Sequence, residues 1–486
     1  MKKNYVLLFL LVISITAFCT PNDIKLVSIN RDQKNLNKSF IEKVEISVFY
    51  YNKDFYLAGI DKNQQKVVEK KNIKFEIIDD QAFTENYYIL SSKKIRISKN
   101  ANLEVKSEDL IYKNGEISII KGNRDTFEYY LRKGFSLKEL RNRPLILRDE
   151  GYLIDPSKVK RSKYKNQEIL DLIEELNNDS LKKHITELEN FVTREASEDN
   201  RREVAVHIVN KFRSYGIEES YLDSFHIYGG WQYNVIAEVE GSANPEEIIV
   251  IGGHHDSITN NPEIAPGADD NASGVAVAME IARVIKKKNY QPERTIYFMT
   301  YAAEEYGLLG SESYAYRAKQ SGKNFMAMLN NDMVAYSEKT HNTWKIDLRP
   351  YIGSEALNNK AMLSMINYST IEPQWTGYNS SGSDSYSFYE QGYMANFFIE
   401  NHFSPHYHTN MDKVEFLNID YIKECTKANL ALAIELDKMP EAINGLEVTD
   451  VGNGSEMLLK WEAVNDLSDF SEYKILLYPY LYDNVD

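Results

Sequence analysis

Five of the nine histidines fall in two short segments, and three further segments carry the acids that could work with them. "IIVIGGHHDS" closes on His254, His255 and Asp256, and "PGADDNASG" carries Asp269 and Asp270. "TIYFMTYAAEEYGLLG" holds Glu304 and Glu305, and "AMLNNDMVAY" runs into Asp332. "ANFFIENHFSPHYHTNMD" contains His402, His406, His408 and Asp412. Taken singly, each has an ordinary reading. A histidine at a strand end usually packs or faces solvent, an aspartate before a helix usually caps it, and acids in a first helical turn suit the helix dipole. Together they say more. Several carboxylates converging on one crevice repel each other by several kcal/mol unless cations share the space. Imidazole mixed with carboxylate suits zinc, held tetrahedrally with one position open.

The elements that would bring these residues together are legible as patterns. Thr295 to Ala303 carry no charge, which predicts a strand buried on both faces of a parallel sheet. "QYNVIAEVEG" and "EEIIVIGGHHDSI" read as strands, while "NQEILDLIEELNN", "RREVAVHIVNKFRSYGI" and "NASGVAVAMEIARVIKKK" have helical spacing. Gly216 stands just past the second helix, as a terminator. Strands alternating with helices predict an α/β domain over 166–438, with a mixed, mostly parallel sheet. Ligands in such sheets collect beyond the carboxyl ends of the strands, where all five segments lie.

Upstream, residues 20–165 hold short β-type runs, "VEISVFYYN", "IKFEIID", "KIRISKN" and "GEISIIKGN", and one piece with helical spacing, "FSLKELRN". They predict a β-rich accessory or propeptide-like domain, in which no internal repeat is evident. Downstream, residues 439–486 turn to β character and resemble part of a fibronectin type III domain, with Trp461 and Tyr473 as the matching positions.

"GGHHDS", "PGADDNASG", "YAAEEYGLLGS", "NNDMVAY", "SGSDSYSF" and "HYHTNMD" follow one another in the order and at separations similar to those of a known family. On these motifs residues 187–437 resemble the secreted di-zinc aminopeptidases, relatives of glutamate carboxypeptidase and glutaminyl cyclase. The resemblance implies a three-layer α/β/α peptidase domain and two Zn2+ per chain. It implies that His254, Asp332 and a bridging Asp270 hold one zinc, and that His408, Glu305 and the same Asp270 hold the other. Glu304 is then the general base for a water activated by the metals, and Asp256 orients His254 from behind. A cis peptide is expected between Asp270 and Asn271. The implied activity is removal of N-terminal residues from peptides. Carboxypeptidase-type or glutaminyl-cyclase-like chemistry is the alternative, and a non-catalytic surface-binding role on the same fold is a third reading.

Two places depart from the family pattern. His255 stands where an apolar residue is common and is expected to be a non-ligand. Ser380 occupies the place of a tyrosine that assists the oxyanion, with Tyr378 two residues earlier as the candidate substitute. His406 is a rival to His408 that spacing alone does not dismiss.

Composition sets the surroundings. With 43% hydrophobic residues and 34 tyrosines the chain can bury real cores. A formal charge of −15 argues against nucleic acid as a partner and says nothing of which peptide or small molecule binds; the peptide substrate is what the family resemblance implies. The start, "MKKNYVLLFLLVISITAFCTPND", reads as an export signal over 1–19, with Lys2 and Lys3 before an apolar centre. Cys19 follows "ITAF", which resembles a lipoprotein processing site, so a lipid-anchored Cys19 and simple cleavage with secretion both stand as expectations. Oligomeric state is not legible. Only one other cysteine, Cys425, exists, which excludes a disulfide-stapled fold.

Overall fold

The computed structural model describes residues 24–460, apart from 53, 92–103, 116, 133–135, 149–150, 228–229, 339–343, 378, 440–446 and 451–456. The chain divides into two compact units, Met1–Arg148 and Asp149–Asp486.

The first unit opens with strand β1 (Lys25–Asn30), helix α1 (Lys38–Val44), strands β2 (Ser47–Tyr51) and β3 (Phe55–Ile60), helix α2 (Lys62–Lys70) and strand β4 (Phe75–Asp79). They pair antiparallel in the order β2-β3-β1-β4. Strands β5 (Asn86–Ser91), β6 (Leu110–Asn114) and β7 (Ile117–Gly122), helix α3 (Arg124–Arg132) and strand β8 (Ser136–Leu140) then form a second antiparallel sheet, ordered β6-β7-β5-β8. The two orders are the same. From Lys25 to Asn86, Ser47 to Leu110, Phe55 to Ile117 and Phe75 to Ser136 each step is 61–63 residues. The unit therefore repeats one four-stranded antiparallel topology, against the expectation of no repeat; the first copy is a split β-α-β-β-α-β motif, and among the described residues no helix stands between β5 and β6 in the second. Period-2 strands keep only alternate apolar positions in common, so two copies can share a fold without visible identity. Their sheets share one core, in which Leu26, Phe49, Phe55 and Leu57 meet Tyr87, Ile89, Ile119 and Leu140.

"FSLKELRN" is not a helix. Ser136–Leu140 is strand β8, paired with β5 from Ser91↔Ser136 to Tyr87↔Leu140. Leu137 and Leu140 have helical spacing, but the open edge of β5 offers a ladder that outweighs local preference.

In the second unit the short helix α4 (Gln167–Ile173) and helices α5 (Asn178–Glu189) and α6 (Arg201–Ser214) lead into strands β9 (Ser220–Ile227), β10 (Gly230–Val239) and β11 (Asn244–His254). Helix α7 (Ala272–Lys287), strand β12 (Arg294–Tyr301), helix α8 (Leu309–Gln320) and strand β13 (Asn324–Asn331) follow. Then come β14 (Lys345–Leu348), α9 (Glu355–Tyr368), β15 (Glu372–Trp375), α10 (Ser385–Glu390), β16 (Ala395–Glu400) and α11 (Ile419–Asp437). One eight-stranded sheet runs β15-β14-β16-β13-β11-β12-β10-β9. Its central strands β16, β13, β11 and β12 are parallel, β10 and the β14–β15 pair run the other way, and the edge strand β9 runs with the central four. The fold is thus mixed α/β around a mostly parallel core.

Both faces of the sheet are covered. Ile249, Ile251, Phe298, Leu329, Ile346, Leu348 and Phe398 pack with α5, α7, α9 and α11. On the other face Phe388 of α10 and Tyr314 of α8 stack against Tyr301 and Phe325. The segment from 151 to 165 belongs to this unit rather than to the one before it. Ile154 N and Ser162 N donate to Asn359 and Asn367 of α9, and Trp375 Nε1 donates to Ile154 O. Of the tail, the described residues are the antiparallel pair β17 (Glu447–Asp450) and β18 (Met457–Lys460). Trp461 and Tyr473, on which the fibronectin type III resemblance rests, lie outside the described residues. So do the export signal and Cys19.

Candidate metal centre

Parallel strands deliver their following loops to one edge, and here four of them do so. His254 is the last residue of β11, Asp332 follows β13, Glu304 and Glu305 follow β12, and His408 lies in the loop after β16. Asp270 sits in the turn before α7. That turn comes close to the sheet: a Cβ on Gly274 would lie 2.1 Å from Asn331 O, so only glycine lets α7 start against β13. The Asp270–Asn271 peptide is cis, as expected. After β12 the chain reverses through Ala303 (φ 57°) and Gly307 (φ 101°), which turns consecutive glutamates towards one crevice.

The side chains meet in three overlapping groups: two share Asp270, and a third brings His254, Glu304 and Glu305 together. His254 Nε2 lies 3.2 Å from Asp270 Oδ1 and 3.4 Å from Asp332 Oδ1. His408 Nε2 lies 2.8 Å from Asp270 Oδ2 and 3.2 Å from Glu305 Oε2. Asp270 therefore offers one oxygen to each imidazole. His254, Asp270 and Asp332 form one potential ligand group, and Asp270, Glu305 and His408 another, each with its ligand atoms within 4.8 Å of one another. Glu304 Oε2 stands further off, 3.8 Å from His254 Nε2.

These residues fit a metal. A tetrahedral ion with bonds of 2.0–2.1 Å places its ligand atoms roughly 3.3 Å apart, the separation seen around each imidazole. Glu305 Oε1 and His408 Nε2 are buried without a hydrogen bond of acceptable geometry. Burial and the nearby Asp270 carboxylate push Glu305 up to about 7. Burial lowers the His408 pKa, but the Glu305 and Asp270 carboxylates outweigh it and take the group to about 10. Burial and the Glu305 and Asp332 charges push Glu304 well above the carboxylate range, with His254 opposing. Crowded acids with displaced pKa values and unpaired donor atoms are what a cation relieves.

The surrounding bonds hold this arrangement. His254 Nδ1 donates to the Asp256 main-chain oxygen at 3.1 Å, which leaves Nε2 free as a ligand atom. The Asp256 carboxylate is only 3.4 Å from the same Nδ1. Its better bonds are elsewhere: it accepts the amides of Glu304 at 3.0 Å and Glu305 at 3.2 Å. Sequence reasoning gave Asp256 to the imidazole, whereas the geometry ties it chiefly to the two glutamates. Two further residues were not foreseen in such roles. Asp412 accepts the amides of Asp269 and Asp270 at 2.9 and 3.0 Å. Arg194, fully buried, donates to the carbonyls of His255, Leu188, Pro266 and Gly267, and so fastens the Asp270 loop to the end of β11. "HTNMD" contained a signal for Asp412. A lone arginine in "VTREAS" offered none.

His255 points away, its Nδ1 2.9 Å from Thr300 Oγ1, and burial brings its pKa to about 4. His406 stacks on Phe416 with ring centroids 4.3 Å apart and joins none of the ligand groups. Tyr378 lies outside the described residues.

Residues 234–433 match the model of peptidase family M28. A probable aminopeptidase of Saccharomyces cerevisiae is 33% identical over 287 residues, spanning 56% of this chain and 76% of the relative. The chain belongs to peptidase family M28. Leucine aminopeptidase 1 of Ajellomyces dermatitidis is 31% identical over 291 residues, spanning 56% of this chain and 74% of that protein. Among solved structures, the LapA aminopeptidase of Legionella pneumophila superposes with a TM-score of 0.56 at 21% identity, covering 74% of this chain and 99% of that one. LapB of the same organism gives 0.52 at 18%, covering 86% of this chain and all of its own. These two likenesses speak to the fold. Membership of M28 makes the chain a metallopeptidase, a hydrolase of peptide bonds.

Proposed function

We propose that this M28 peptidase is an aminopeptidase with a two-zinc centre, and one observation carries the reading: the two oxygens of Asp270 face different imidazoles. His254, Asp332 and Asp270 would hold one ion, and His408, Glu305 and Asp270 the other. Bound there, zinc supplies Lewis acidity towards a peptide carbonyl and lowers the pKa of water. Glu304, outside this ligand set and 3.8 Å from His254 Nε2, acts as the base. It accepts the proton of the attacking water and delivers it to the departing amine nitrogen. Asp256, bonded to both glutamate amides, keeps Glu304 beside that water while Glu305 stays with His408. The aminopeptidases among its relatives support action at a free N-terminus. Kinetics on amino-acyl anilides and on the same compounds with the amine acetylated test this. Hydrolysis confined to the free amines is expected, and faster hydrolysis of acetylated substrates contradicts it.

The same reading extends to address. The basic start and apolar run before Cys19 support export, with Cys19 as a lipid acceptor. Cell fractionation that recovers the chain with the cytoplasm would sink that extension.

A further inference from the structure

The face of the sheet that carries the metal site continues sideways onto β14, and what it carries there is polar. Asn331 pairs with Phe398, and Phe398 pairs with Leu348. Side chains alternate along a strand, so Ile346 and Leu348 enter the core shared with α9 and α11, and Asp347 and Arg349 take the opposite face. That is the face of Asp332. Asp347 pairs with Ile399 on β16, the strand between β14 and β13, so Asp347 stands level with Asp332 two strand spacings away, roughly 10 Å. Arg349 lies one row back, over the ring of Phe397 at 5.3 Å.

Two charged groups occupy this shelf, and they are in different situations. Asp347 is satisfied: Asn401 Nδ2 donates to its Oδ1 at 2.6 Å and also reaches Gln374 at 3.2 Å. Arg349 is half-buried and has five N–H donors. Among the described residues its side chain makes one hydrogen bond, a long one of 3.4 Å to Ser380 Oγ, and no ion pair. The guanidinium is within electrostatic reach of Asp347 first, and then of Tyr351, Asp332 and Tyr407. Tyr407 in turn lies against the His408 ring, with centroids 3.8 Å apart. An arginine partly stripped of water, resting on an aromatic ring, with most of its N–H donors unmet and no carboxylate in contact with it, is arranged to take an anion in a forked pair of hydrogen bonds.

We infer that Arg349 receives a carboxylate of the peptide substrate, forming an anion subsite next to the metal centre. This rests on the peptidase reading above and narrows its substrate class. The carboxylate has two sources: an acidic side chain on the N-terminal residue, or the C-terminus of a di- or tripeptide. A neutral or cationic side chain gains nothing from Arg349.

The test compares near-isosteric pairs on the intact zinc-loaded chain. Glutamyl and glutaminyl anilides differ only in the side-chain carboxylate and have no free C-terminus. Leucyl dipeptides with free and amidated C-termini differ only in the main-chain carboxylate. On at least one pair the acid form is expected to show kcat/KM ten-fold or more above the amide form. In Arg349→Gln that ratio falls to about one, and in Arg349→Lys it lies between. The wild-type ratios need no variant, so a misfolded R349Q leaves the inference open to refutation. Ratios near one on both pairs overturn it, as does a ratio in R349Q equal to that of wild type. Hydrolysis of leucyl anilide runs alongside as the control: its absence sinks the aminopeptidase reading, and its presence with flat ratios sinks only the anion subsite.

Discussion

At the scale of single residues, the turn between β12 and α8 points adjacent Glu304 and Glu305 at different neighbours, and the proposed function gives them different tasks. Glu305 Oε2 lies 3.2 Å from the His408 nitrogen, while Glu304 stands 3.8 Å from His254 and in neither of the ligand groups that share Asp270. Removing the charge of Glu304 without changing its shape separates base from ligand. Glu304→Gln is expected to keep its zinc and its thermal stability and to lose about 10²–10⁴-fold in kcat, the usual worth of a positioned base. Retained turnover, or zinc lost together with activity, would reassign the residue. The convergence of the candidate ligand residues was legible in the sequence because their motifs sit at strand ends, and the family resemblance implied how they would be shared between two ions. Arg194 and the amide-binding role of Asp412 were not. What they do depends on loops that meet only after folding, and no local pattern records which carbonyls or amides will be nearby.

At the scale of elements, α7 matters most, because its first turn follows Asp270 and its middle is anchored by a buried charge. Glu280 is fully buried. Its Oε1 accepts Asn177 N at 2.8 Å and Arg283 Nη2 at 2.7 Å, and its Oε2 accepts Arg283 Nε at 2.9 Å. Burial alone would raise its pKa, but the bonds from Arg283, His184, Ser180 and Asn177 outweigh it and bring the group to about 2. A folded-state pKa below the unfolded one contributes stability above the unfolded value and loses it as pH falls through the folded one. Glu280 thus contributes about 3 kcal/mol above its ordinary carboxylate pKa, fading towards pH 2. Denaturant unfolding of wild type and Glu280→Gln across this range checks the sign. The gap between them should be widest near neutrality and close on acidification; a gap that is constant with pH would contradict it. The strands and helices around the site follow from periodicity, since their apolar faces match their burial. "FSLKELRN" shows where that reasoning stops: five residues long, with leucines three apart, β8 takes its form from the edge of β5.

At the scale of the whole molecule, a catalytic unit with one mixed sheet is joined in sequence to a unit built from two copies of a smaller antiparallel motif. The α/β class was legible because buried parallel strands read as unbroken apolar runs. The repeated strand order was not, because only the order and spacing of elements record it, and those emerge once strands have paired. Function concentrates where the large sheet releases its loops, and the account there makes one claim above others: that residues from five separate segments surround a pair of ions through a shared Asp270. Metal content per chain, measured by elemental analysis on protein saturated with zinc and dialysed against metal-free buffer, tests it most directly. Two equivalents are predicted, with activity lost on chelation and regained as both return; one equivalent or fewer in fully active protein would contradict the shared centre.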